Sequence, residues 1–145
     1  MSKPDTDEIR ALRLIRSNAL KQGDFKTANV TLKEISVIVA DNYKDDPDPR
    51  EYLFRQSLAA REELLLEKHG HHQTAGRTRK LRHENGLKSC LEAWAGAKDP
   101  TSGFVSLVQN DLAELTAEAI VLEHPKGFLK ETLETARKRL AALEK

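Results

Sequence analysis

Residues 5–42 decide the fold, and they read DTDEIRALRLIRSNALKQGDFKTANVTLKEISVIVADN. Asp5 and Glu8 have the spacing of a capping box, which is typical of a helix start. Apolar residues then recur every three or four positions on both sides of Gly23, as expected of two amphipathic helices separated by a turn. We therefore predict an N-terminal antiparallel helix hairpin, whose second helix ends at about Asn42.

The turn of this hairpin resembles the turn of a tetratricopeptide repeat. The resemblance rests on residues 21–28, KQGDFKTA, in which Gly and Asp close one helix and an aromatic residue and Ala pack the next. It implies an antiparallel helix pair. Because the chain contains one copy of this pattern, the sequence does not predict a peptide-binding array of repeats.

The rest of the chain also has helical periodicity. An acidic stretch with two prolines interrupts it, because proline lacks a backbone donor and disfavours a helix before it. No segment alternates as a strand would. We predict an all-α protein, a bundle of five or six helices. Its predicted parts are the hairpin (1–44), the acidic Pro linker (45–49) and a C-terminal helical part with a basic His-rich loop (50–145), which is expected to be one compact unit.

Two of the predicted helices contain residues that disfavour a helix. The helix that starts near Thr78 runs through Gly86, at some cost, to Gly96. The stretch 104–123 has two interpretations, because its apolar stripe indicates one continuous core helix, whereas a turn at Asn110-Asp111 would make it a helix-turn-helix. The second half would then offer glutamates and no Lys or Arg to a phosphate, so we favour the continuous helix.

Composition excludes several classes of protein. The 145 residues are 39% hydrophobic and 32% charged, a balance typical of one folded domain. No apolar run is long enough to span a membrane, and the charged first residues do not resemble a signal peptide, so we expect a cytoplasmic protein without membrane contact. A single cysteine, Cys90, excludes an intrachain disulfide.

Positive charge is concentrated in residues 68–88, which we call the basic segment. It holds six Lys and Arg residues and one Glu, a net charge of +5, while the other residues together carry −4. Phosphates attract such a cluster, and arginine can hold phosphate oxygens through paired hydrogen bonds. The alternative is a solvated loop that the linker aspartates neutralise. We predict nucleic-acid or phosphate contact at Arg77, Arg79, Lys80, Arg82 and Lys88.

No motif for catalysis or metal binding fits. Gly70, Gly76 and Thr78 lack the spacing, the lysine and the preceding strand of a phosphate-binding loop. Four histidines lie in the basic segment, but their spacing matches no zinc finger or His-Glu-x-x-His site, so we predict no metal site and no cofactor. Cys90 lies on the apolar face of its helix and is predicted to be a buried thiol rather than a nucleophile.

The sequence therefore favours a small non-enzymatic accessory protein that contacts DNA, RNA or another polyanion through the basic segment. The alternative is a helical adaptor that binds a protein partner or a second copy of itself through its amphipathic helices. An exposed apolar patch on a folded helix would favour the adaptor, whereas basic residues exposed on one face would favour the polyanion. The sequence distinguishes neither DNA from RNA nor one oligomeric state from another.

Overall fold

The computed structural model describes residues 6–71 and 75–144, and every regular element in those ranges is helical. This confirms the all-α prediction. None of these helices is long and apolar enough to cross a bilayer. The helices form two compact units, Met1–Gln73 and Thr74–Lys145. The α-helices are α1 (Asp7–Lys21), α2 (Phe25–Val39), α3 (Pro49–His69), α4 (Gly76–Asn85), α5 (Leu87–Ala95), α6 (Ser102–Gln109), α7 (Ala117–Glu123) and α8 (Lys130–Ala141).

A tight turn joins α1 and α2 in the first unit. Thr6 caps α1, because its side chain accepts a hydrogen bond of 3.2 Å from the backbone N–H three residues later. Asp24 caps α2 in the same way, over 3.1 Å. Gly23 lies between the two helices with φ +74°, a left-handed conformation that glycine adopts without strain. The predicted cap, Asp5, lies outside the described residues.

The core of the first unit forms around α2, which packs against both α1 and α3. The acidic Pro linker therefore lies inside this unit. The contacts place α3 with α1 and α2, whereas the sequence assigned it to the C-terminal part. The buried apolar side chains of the three helices include Ile9, Leu12, Ala19, Ala28, Leu32, Ile35, Phe54, Leu58 and Ala60.

Two arginines of α1 form ion pairs with α3. Arg13 Nε lies 2.5 Å from Glu63 Oε1, and Arg16 Nε lies 2.5 Å from Glu67 Oε2. Arg16 is 3% exposed and also donates to the Ala28 carbonyl of α2, at 2.7 Å. A buried arginine thus links all three helices of the unit. The predicted apolar stripe of α1 did not include it.

In the second unit α5, α7 and α8 pack against one another, and α4 packs against α5. α6 packs against the short 3-10 helix Ala113–Leu115. The unit therefore has an apolar core formed by residues of these helices. Its fully buried apolar side chains include Leu91, Leu107, Leu112, Leu115, Ile120 and Val121.

An ion pair is buried in this second core. Arg139 Nη1 of α8 lies 2.8 Å from Glu118 Oε2 of α7, and their side chains are 9% and 1% exposed. Arg139 also donates to the Ala97 carbonyl, just after α5, and its guanidinium lies 5.9 Å from the centre of the Phe104 ring of α6. One arginine therefore connects α8 to three other parts of the unit.

Two predicted helices are each divided in the structure. α4 and α5 are separate because Gly86 has φ +85° and ψ 160°, a combination found almost exclusively for glycine. The stretch 104–123 breaks at Asp111, which has φ +58°, and Thr116 then caps α7 with a 3.1 Å hydrogen bond. The prediction of one continuous helix there is wrong. The described chain has eight α-helices rather than five or six.

Candidate polyanion-binding surface

The basic segment is divided between the two units. Lys68 and His69 are exposed at the end of α3, in the first unit. The five predicted contact residues all lie in the second unit, in α4 and the first turn of α5. Residues 72–74, with one of the four histidines, lie outside the described residues. The candidate surface therefore consists of second-unit residues alone.

The cations of α4 lie on two different sides of the helix. Arg77 and Lys80 are both exposed. Their spacing of three residues places them next to each other on one face. Arg79 and Arg82 are half-buried and lie on the side of the buried Thr78. Of the four predicted cations in this helix, the structure thus presents two directly to solvent.

Neighbouring charges affect these cations unequally. Lys80 Nζ lies 4.0 Å from Glu84 Oε1, but the two side chains are 74% and 52% exposed. Solvent and salt screen an exposed pair of this kind. The ion pair is therefore weak, and Lys80 can still attract an anionic ligand. Burial raises the pKa of the Cys90 thiol, and the positive charge of Arg82 opposes that rise. Cys90 is buried, as the sequence predicts, and its raised pKa keeps the thiol neutral.

Lys88, in the first turn of α5, extends the surface beyond α4. It is exposed, and its Cε lies 3.2 Å from the position that a Cβ atom on Gly127 would occupy. Gly127 belongs to the turn between α7 and α8, directly after the exposed Lys126. The backbone N–H of Leu129 in the same region donates to Glu92 of α5, at 3.0 Å. The turn therefore adds Lys126 to the candidate surface, a residue that no local sequence pattern connects with the basic segment.

The described residues do not form a metal site. Within 6–71 and 75–144 no three His, Cys, Asp or Glu side chains are grouped to hold an ion. The rings of His69 and His71 lie 6.3 Å apart, and His72 lies outside the described residues. The groups on the candidate surface are guanidinium and ammonium groups, which bind phosphate oxygens.

Comparison with protein-family models, with curated proteins and with solved structures finds no match to this chain. The physical basis for a function is therefore the exposure, spacing and charge of its own residues. In the second unit Arg77 and Lys80 combine these properties on one face of α4, and Lys88 and Lys126 are also exposed.

Gly86 forms the junction between α4 and α5, the two helices that carry this surface. Gly86→Ala should destabilise the second unit by about 1–3 kcal/mol, because the backbone conformation at this position is strained for any other residue. No atom lies within 4 Å of the added Cβ, so the cost comes from backbone strain and not from a clash. Urea unfolding followed by Trp94 fluorescence measures the loss. Ser89→Ala, an exposed change one turn away, is the control and should shift stability by less than about 0.5 kcal/mol. Equal stability of the two variants would contradict this role of Gly86.

Proposed function

We propose that this chain is a small, non-enzymatic accessory protein of the cytoplasm that contacts nucleic acid through Arg77, Lys80 and Lys88. The observation that carries the proposal is the exposure of Arg77 and Lys80 on one face of α4. Arg79 and Arg82 contribute from the half-buried side, because their charge adds to the local potential while their stems pack against the protein. Lys126 is the neighbouring cation that the fold supplies.

The extent of the surface favours a polymer over a single small anion. The cations of α4 lie between positions 77 and 82, which span about 7.5 Å of the helix axis. Duplex DNA carries one charge for about every 1.7 Å of its axis, so cations spread over this length face several phosphates. No aromatic residue lies in the basic segment. We therefore do not expect the protein to stack on unpaired bases. We expect it to contact the phosphate backbone without strong sequence preference.

The charge outside the basic segment favours one orientation of a bound polyanion. The residues beyond 68–88 carry −4 in total. A polyanion is attracted to the candidate surface and repelled by most of the remaining chain. With so few cations available, binding should be weak and strongly dependent on salt.

The salt dependence of duplex binding tests the proposal. Neutralising three or four phosphates should make the logarithm of the binding constant fall with the logarithm of salt at a slope of roughly −3. The triple variant Arg77→Ala/Lys80→Ala/Lys88→Ala should flatten that slope by about two to three, because it removes the exposed cations. Fluorescence anisotropy of labelled DNA and RNA duplexes at several salt concentrations measures both slopes.

A charge-matched variant distinguishes the effect of the candidate surface from the effect of the protein's net charge. Lys26→Ala/Lys44→Ala/Lys98→Ala removes three exposed lysines outside the basic segment and should keep most of the slope. Far-ultraviolet circular dichroism checks that both variants remain helical. Absence of binding to either duplex at low salt, or an unchanged slope in the first variant, would overturn the nucleic-acid proposal.

A second candidate function is supported by a different surface. On the first unit, five large apolar side chains are exposed, and Phe25 is 63% exposed although its position predicts a core residue. Exposed apolar groups of this kind are typical of protein interaction sites. In this second proposal α1 and α2 are the antiparallel hairpin predicted from the sequence, and they act as an adaptor for a protein partner or a second copy. The exposed side chains are Leu14, Ile15, Leu20, Phe25 and Val30.

A further inference from the structure

The junction of α4 and α5 contains the one Asn-Gly pair of the chain, Asn85 and Gly86. The side chain of Asn85 is exposed. Because glycine has no Cβ atom, its backbone nitrogen can approach the side-chain carbonyl carbon of the preceding asparagine with little steric hindrance. Asn85 is therefore the asparagine of this chain that a neighbouring backbone nitrogen attacks most easily. The other asparagines are each followed by a residue with a Cβ atom, and they are Asn18, Asn29, Asn42 and Asn110.

This attack is the first step of deamidation. The Gly86 nitrogen loses its proton to hydroxide and forms a bond to Asn85 Cγ. The Cγ–Nδ2 bond breaks, and the side-chain nitrogen takes up a proton from water and leaves as ammonia. Water then opens the five-membered imide ring. Hydrolysis of the new bond gives aspartate, and hydrolysis of the original peptide bond gives isoaspartate. One water is consumed, one ammonia is released, and a neutral amide becomes a carboxylate.

The folded conformation delays this reaction without preventing it. The Gly86 N–H donates a 3.0 Å hydrogen bond to the Arg82 carbonyl, and this bond must open before the nitrogen can attack. Opening involves only the last turn of α4. This helix has one buried residue, Thr78, fewer than any other α-helix that the structure describes. A helix end with so little burial opens at a small part of the free energy of global unfolding.

We propose that Asn85 is a site of spontaneous deamidation, and that its modification lowers the affinity of the candidate surface as the protein ages. The new carboxylate lies at the C-terminal end of α4, where negative charge is unfavourable to a helix. It also lies between the exposed cations Lys80 and Lys88 in the chain, so it reduces the positive charge offered to a phosphate. The modification itself requires only Asn85 and Gly86, whereas its effect on binding rests on the proposed nucleic-acid contact.

Peptide mapping of the folded full chain by mass spectrometry, after incubation at neutral and mildly alkaline pH, tests the site. Asn42 is a matched control in the same molecule, because it is exposed and the next N–H, of Tyr43, also donates to a backbone carbonyl, at 2.9 Å. Asn85 should deamidate at least about tenfold faster than Asn42, since Gly86 has no Cβ atom to hinder the attack. The rate should rise with pH, because the attacking nitrogen must first lose its proton. Equal rates at the two asparagines would overturn the proposal.

The variant Asn85→Asp tests the effect on binding, because it introduces the charge of the product. It should bind a nucleic-acid duplex at low salt about twofold more weakly than the unmodified chain, the effect of one charge at roughly 8 Å in water. Asn42→Asp adds the same charge outside the candidate surface and should leave the affinity unchanged. If Asn85→Asp binds as tightly as the unmodified chain, the effect on binding is wrong. If the unmodified chain binds no duplex at low salt, the nucleic-acid proposal fails instead, and the peptide map still decides whether Asn85 is modified.

Discussion

Replacing Arg139 by Met should destabilise the second unit by about 3–5 kcal/mol, the cost typical of removing one partner from a buried ion pair. The Glu118 side chain that remains is 1% exposed, so water cannot easily take the place of the guanidinium. Among the described residues, the second carboxylate oxygen of Glu118 is already buried without a hydrogen-bond partner. The Ala97 carbonyl also loses a donor. Methionine keeps an unbranched stem beside Phe104, so lost packing contributes little.

Urea unfolding followed by fluorescence measures this loss in the correct unit, since the single tryptophan, Trp94, lies in α5. The double variant Glu118→Leu/Arg139→Met should recover most of the stability, because well-packed apolar residues often replace a buried ion pair at little or no cost. Recovery would show that the penalty comes from the isolated carboxylate. A loss below about 1 kcal/mol for Arg139→Met would show that this pair is not a buried determinant of stability.

Local signals account for the parts of the fold that the sequence predicts well. The periodicity around Gly23 and the Asp48-Pro49 start of α3 require only neighbouring residues, and both boundaries agree with the structure. The helix breaks at Gly86 and Asp111 were missed for a different reason. The sequence offers a glycine at the first position and a possible turn at the second, but a helical apolar stripe continues across both and favoured the unbroken helix, whereas the backbone angles show that the chain turns. Periodicity predicts which residues are buried together, and it does not show whether one helix or two carry them.

The candidate surface was predictable in composition and unpredictable in arrangement. Counting charges finds Arg77, Arg79 and Lys80, but exposure depends on which side of α4 packs against α5. Lys126 joins the candidates because the next residue, Gly127, lies beside Lys88, and such proximity between distant residues leaves no pattern in a single sequence. The burial of Arg16 and Arg139 also depends on contacts between distant residues. It was missed because an arginine on a helix is normally expected to face solvent.

The two ion pairs between α1 and α3 lead to a prediction that the burial of the arginines alone does not give. Arg16 is 3% exposed and the Arg13 side chain is 24% exposed, so burial alone suggests that Arg16 matters more. The partners reverse this order. Glu63, the partner of Arg13, has a side chain that is 8% exposed, whereas the side chain of Glu67, the partner of Arg16, is 35% exposed.

Arg13→Met should therefore cost about 3 kcal/mol, because it leaves a buried carboxylate without its cation. Arg16→Met should cost only about 1–2 kcal/mol, since water can solvate Glu67 and the Ala28 carbonyl still accepts a hydrogen bond from the Thr31 hydroxyl, at 2.9 Å. Hydrogen exchange of α1, α2 and α3 in the native protein measures both losses within the first unit. If Arg16→Met proves more damaging than Arg13→Met, burial of the arginine and not of its carboxylate partner controls the stability of the three helices.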